Sequence, residues 1–128
     1  MKYAVSFEPF SERHFIKNFS KKHKGAWERT LNGLILEFTY VDLLFQKSIA
    51  ETISVSGDVK ICKTEFKIAG TEMSRHASGN RCIVAIHQNE AVVCVLMVYS
   101  KADIATSNET AAWKNIIKAN YPKYRDVI

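Results

Sequence analysis

Between Val59 and Ala69 the sequence reads VKICKTEFKIA, and its side chains sort by parity. Successive side chains of a strand point to opposite faces. Cys62, Thr64, Phe66 and Ile68 therefore share one face, and Lys63, Glu65 and Lys67 the other. A second segment, RCIVAIH over Arg81–His87, puts Cys82, Val84 and Ile86 on its apolar parity. Arg81 lies on the opposite parity with Ile83 and Ala85. If the two strands pair as neighbours, Arg81 joins Lys63 and Lys67. Tyr99 and Lys101, at the end of a third apolar run, close the group. Such a cluster suits a phosphodiester. Arg offers a forked donor to phosphate oxygens and Lys a point charge. Together they favour the extra charge of a pentacoordinate phosphorane. Tyr99 can position or stack a base. Glu65 and His76 are the candidate proton-transfer groups. Alternating charges on a sheet face also serve solubility alone, and parity does not decide between the two readings.

The elements that must hold this face follow from the pattern. KYAVSF over Lys2–Phe7 alternates as a strand. Pro9 then opens a helix running from Phe10 to about Lys22, with Phe15, Ile16 and Phe19 as its apolar side. KKHKG interrupts the pattern at Gly25. A second helix, from Ala26 into the mid-forties, carries Trp27, Leu31, Leu34, Ile35, Phe38, Val41 and Phe45 at helical spacing. The two form a helical hairpin. Residues 46–58 are ambiguous: Lys47–Ile53 reads as a further helical turn and SVSGD as a loop. The strand at Val59–Ala69 is followed by a polar loop, GTEMSRHASGN. Arg81–His87 and Ala91–Tyr99 then form a hairpin. SKADIATS is a loop, and Asn108 caps a last helix with Trp113, Ile116 and Ile117, ending near Tyr121–Pro122. The order β-α-α-β-β-β-α predicts an α+β fold, one domain over residues 1–128, with an antiparallel sheet of about four strands and the hairpin packed on one face.

Composition narrows the function classes. With 18 Lys and Arg against 13 Asp and Glu, the formal net charge is +5. That excess points to an anionic partner, nucleic acid first. No stretch reaches the roughly 18 apolar residues of a membrane span, and the first residues lack the long apolar core of a secretory signal. A cytoplasmic protein is expected. Cys62, Cys82 and Cys94 are odd in number and widely spaced, which fits buried reduced thiols. His14, His23, His76 and His87 show no metal-ligand spacing. Neither a metal nor another cofactor is expected.

The element order, with FKIAG, SGNRCIVAI and VCVLMVYSKADI, resembles the RelE-type toxin superfamily (RelE/ParE-like toxins of toxin–antitoxin pairs). The resemblance covers most of the chain. It implies a metal-independent mRNA endonuclease that works on the ribosome, inhibits translation and is silenced by a cognate antitoxin. The 2′-hydroxyl would attack the neighbouring phosphate. By position, Arg81 matches the family's phosphate-contacting strand Arg, Lys63 and Lys67 its basic positions on the preceding strand, and Lys101 a late basic residue. The family's C-terminal Tyr falls near Tyr121 and Tyr124, and the resemblance implies a substrate contact for Tyr121. Relatives that use a Glu/His pair place the His near the C-terminus, whereas no His follows His87 here. The alternative is a non-catalytic member of that fold that binds nucleic acid or protein.

Overall fold

The computed structural model describes residues 1–47, 49–104 and 108–128. Its centre is a five-stranded sheet in the order β1-β5-β4-β3-β2. The strands are β1 (Ala4–Phe7), β2 (Ala50–Ser56), β3 (Val59–Phe66), β4 (Asn80–His87) and β5 (Val92–Ser100). Strands β2 to β5 form an antiparallel meander, while β1 lies parallel to β5 with Val5 opposite Val93. The sheet is thus mixed and has one strand more than the sequence predicts.

The extra strand is β2. Its pattern, AETISVS, is half exposed throughout because it is a sheet edge. It lacks the apolar alternation that marks a strand with a covered face, and its pairing with β3 is broken by a bulge between Thr52 and Ser54. Gly57, at φ +60°, makes the tight turn into β3 that the sequence presents only as part of a loop. The expected helical turn at Lys47–Ile53 is replaced by this strand from Ala50 onward, and Ser48 lies outside the described residues.

Helix α1 begins at Pro9–Ser11, widens into a π-helical stretch over Glu12–Ile16 and continues over Lys17–Lys22. The second expected helix is divided. Helix α2 (Ala26–Thr39) ends where Tyr40 leaves helical geometry at φ −117°, ψ 49°, and α3 (Val41–Gln46) follows. The hairpin buries Phe19, Trp27, Leu34, Phe38, Val41 and Leu44 against Cys62, Phe66, Cys82, Val84 and Val95. This is the face that parity predicts.

The opposite face is also covered. Helix α5 (Glu109–Asn120), after the short α4 (Arg75–Ser78), lays Trp113 and Ile117 on Ile61, Ile83, Ala85, Leu96 and Met97. Asn108 caps α5 by accepting from the Ala111 amide at 3.1 Å, as expected. The loop expected over 100–107 lies outside the described residues at 105–107. Strands β4 and β5 are buried on both faces, which explains why β5 reads as apolar on both parities. Cys62, Cys82 and Cys94 are buried free thiols, and burial pushes Cys62 up to about 11. No helix among the described residues is long and apolar enough to cross a membrane.

Candidate functional site

Strand register decides which charged residues meet. Glu65 of β3 stands opposite Arg81 of β4, and Arg81 stands opposite Tyr99 of β5. Lys63 stands opposite Ile83. Lys63, Glu65, Arg81 and Tyr99 therefore share the face toward α5. The face is not an open array of cations, because two carboxylates thread it.

The first carboxylate is Glu65. It lies 3.3 Å from the Arg81 guanidinium and 2.9 Å from His76 Nδ1. Arg81 is enclosed: its side chain is 3% exposed, and it donates to the carbonyls of Asn80 and His76 at 3.0 and 3.3 Å. His76 is the reverse, with a side chain 82% exposed. Nδ1 is engaged by the Glu65 carboxylate, and Nε2 is the ring nitrogen left to solvent. His76 is held there by α4. Ser74 caps that helix, its Oγ accepting from the Ala77 amide. Gly79 ends it in the left-handed region at φ +74°. The Ser78 hydroxyl donates to the Phe66 carbonyl at 2.6 Å, and Arg75 reaches the Glu65 carbonyl while paired with Glu37 of α2. The loop that looks merely polar in sequence is thus clamped to the end of β3.

The second carboxylate is Glu109, the first residue of α5. It accepts from the Tyr99 hydroxyl at 2.5 Å. The Lys63 and Lys101 ammonium groups lie 3.9 and 3.8 Å away. Burial, and then this carboxylate, push the Tyr99 hydroxyl up, so Tyr99 is a neutral donor. With its side chain enclosed, Tyr99 is not presented for base stacking.

The remaining expected residues are placed apart. Lys67 follows β3, is exposed, and borders a small cavity lined by Arg29, Glu37 and Arg75. Tyr121 belongs to the core: its hydroxyl donates to the Leu96 carbonyl at 2.7 Å, and its ring packs edge-on against Phe10. Leu96 is the residue skipped in the β4–β5 register, so Tyr121 satisfies a carbonyl at a bulge. Tyr124 is likewise buried, with its hydroxyl 2.7 Å from His87 Nε2. The substrate contact expected of Tyr121 is therefore corrected to a packing role.

Glu109, Arg75 and Glu37 are the participants sequence reasoning did not assign. Glu109 reads simply as a favourable first-turn acid of a helix, and only the packing of α5 across the sheet brings it to Lys63. No group of three or more His, Cys, Asp or Glu suited to a metal occurs among the described residues.

No protein-family model and no curated protein matches the chain. Solved structures do. The chain is similar to a chain of the archaeal RelE–RelB complex from Pyrococcus horikoshii OT3, with a TM-score of 0.48 and 14% identity over 79% of this chain and 97% of that one. It is similar to a mutant of the E. coli toxin RelE in the free state, with a TM-score of 0.47 and 18% identity over 94% of this chain and 99% of that one.

Proposed function

We propose that the chain is the toxin of a toxin–antitoxin pair and a metal-independent endoribonuclease acting on mRNA at the ribosome. The observation that carries this reading is the Arg81–Glu65–His76 relay, which runs from a buried guanidinium to an exposed imidazole. The sequence resemblance supplies the substrate class and the expected antitoxin.

In this reading His76 Nε2 takes the proton of the ribose 2′-hydroxyl, and the oxygen attacks the adjacent phosphorus. The bond to the 5′-oxygen breaks, and that oxygen leaves with a proton from His76 or water. A 2′,3′-cyclic phosphate and a 5′-hydroxyl result. Glu65 fixes the tautomer and orientation of the imidazole. Arg81, sealed beneath, holds Glu65 and the His76 backbone and acts as a positioning residue. Lys101, half exposed, and Lys63 offer charge to the phosphate.

Primer extension of a reporter mRNA after induced expression tests the reading. Discrete cleavage in the wild type, lost in His76→Ala and Arg81→Ala, is the expected result. Growth and intact mRNA on wild-type expression would sink it.

One observation favours a second reading, a non-catalytic RNA-binding member of the fold. Glu109 already engages Lys63 and Lys101. RNA binding without cleavage, steeply dependent on salt, would select that reading.

A further inference from the structure

The cations of the sheet face are paired, so the net charge must come from elsewhere. Between Glu12 and Lys24, helix α1 and the turn after it carry Arg13, Lys17, Lys21, Lys22 and Lys24 against Glu12 alone. That is a net +4 of the chain's +5. All five cations are exposed, and none forms an ion pair among the described residues.

This helix also forms one wall of a groove of about 420 Å³. His14, Asn18 and Lys22 line it at intervals of four residues, and His23 joins them. Asn80 and Ser100 form the facing wall, where Asp103 is the lone carboxylate. The volume lies within the roughly 300–1,000 Å³ range typical of small-ligand sites. Both imidazoles rest on aromatic rings. His23 stacks on Phe19 at 6.1 Å and 24°, and Phe19 stacks in turn on Trp27; His14 lies 4.4 Å from Phe10. Flat rings held in place beside amide donors and an ammonium group match a base and its phosphate. The π-helical stretch at Glu12–Ile16 contains His14, and such distortions recur at functional sites.

The groove lies on the hairpin side of the sheet, yet it abuts the candidate site in the chain. Asn80 precedes Arg81, Ser100 precedes Lys101, and Asn80 is the register partner of Ser100. The register pair Asn80–Ser100 therefore adjoins the pair Arg81–Tyr99 at this end of the sheet. We infer that the groove between α1 and the Asn80–Ser100 pair is a second subsite for single-stranded RNA, seating a nucleotide flanking the one at His76. The inference rests on the RNA reading for the identity of its ligand.

The test uses the full chain and a fluorescent 12-nucleotide single-stranded RNA. Binding is followed by anisotropy across a salt series, beside cleavage of a dinucleotide that spans only the His76 site. A Lys21→Gln/Lys22→Gln variant should bind the 12-mer about tenfold more weakly at low salt. Its log–log salt slope should be shallower by about 1.4, from roughly 0.7 per phosphate contact on single strands. Dinucleotide cleavage should be unchanged. Photocrosslinking should mark the peptide spanning His14–His23. Unchanged affinity and slope, or crosslinks confined to β3–β5, would overturn the subsite. Equal competition by polyglutamate would overturn its assignment to RNA. If reporter mRNA is never cleaved on ribosomes while the helix variant still weakens binding, the endonuclease reading fails and the subsite stands.

Discussion

The Tyr99 hydroxyl, buried at the end of β5, donates a 2.5 Å hydrogen bond to the Glu109 carboxylate at the start of α5. This bond ties the C-terminal helix to the charged face of the sheet. It also fixes the anion that Lys63 and Lys101 face.

Removing that carboxylate should be felt in stability and in binding. Glu109→Ala leaves the Tyr99 hydroxyl without its acceptor, at a cost of about 1–3 kcal/mol. Tyr99→Phe with Glu109→Ala should recover part of that loss, because no orphaned hydroxyl remains. Urea unfolding of the single and double variants measures the coupling. Additive losses would mean that the bond contributes nothing. The charge change also frees Lys63 and Lys101, so RNA affinity of Glu109→Ala at low salt should rise.

Arg81 and His76 should separate structure from chemistry. Arg81→Ala removes a buried cation that bonds a carboxylate and two carbonyls. A loss of about 1–3 kcal/mol is expected, below the full buried-pair value because Glu65 keeps contact with water. Activity should vanish as well. Thermal denaturation beside the cleavage assay reads both.

His76→Ala touches an exposed side chain, so stability should stay within about 0.5 kcal/mol. Cleavage should fall by about 10²- to 10⁴-fold, the usual worth of a positioned proton-transfer group. Glu65→Gln should lower the rate less and alter the pH–rate profile, since it disturbs only the orientation and field of the ring. Full activity of His76→Ala in single-turnover cleavage would remove His76 from the mechanism.

Alkaline stability should report on Cys62. Burial pushes its thiol from the ordinary cysteine range up to about 11. A raised folded-state value gives stability that is complete below the unfolded value and is lost as pH climbs through the folded one. From this group alone, stability should decline by roughly 2 kcal/mol between about pH 9 and 11. Denaturant midpoints across that window, compared with Cys62→Ala, isolate the contribution. A variant with the same slope as the wild type would show that Cys62 does not titrate on unfolding.

Some of this architecture was legible in the sequence. Lys63, Glu65 and Arg81 could be assigned to one sheet face because side-chain alternation is a local property of extended backbone. The Asn108 cap and the Trp27–Phe38 stripe were readable for the same reason: each depends on neighbours a few residues away. Strand β2 was not, because an edge strand needs no buried face and leaves little hydrophobic signature. The break at Tyr40 also escaped, since the apolar stripe continues through it into Val41 and Leu44.

By itself, then, the sequence determined the α+β class, the order of most elements and the parity that puts Lys63, Glu65 and Arg81 on one face. The tertiary structure decided what that gathering amounts to. Helix α5 crosses the sheet from a distant part of the chain and brings Glu109 onto the lysines. The clamped loop at Arg75–Gly79 delivers His76 to Glu65. Tyr121 turns inward to a bulge carbonyl. Charge pairing depends on distances between segments far apart in sequence, and no local pattern encodes those distances. A face that counts as basic in the sequence is therefore largely neutralised in the fold, and most of the net positive charge lies on α1 and the turn that follows it.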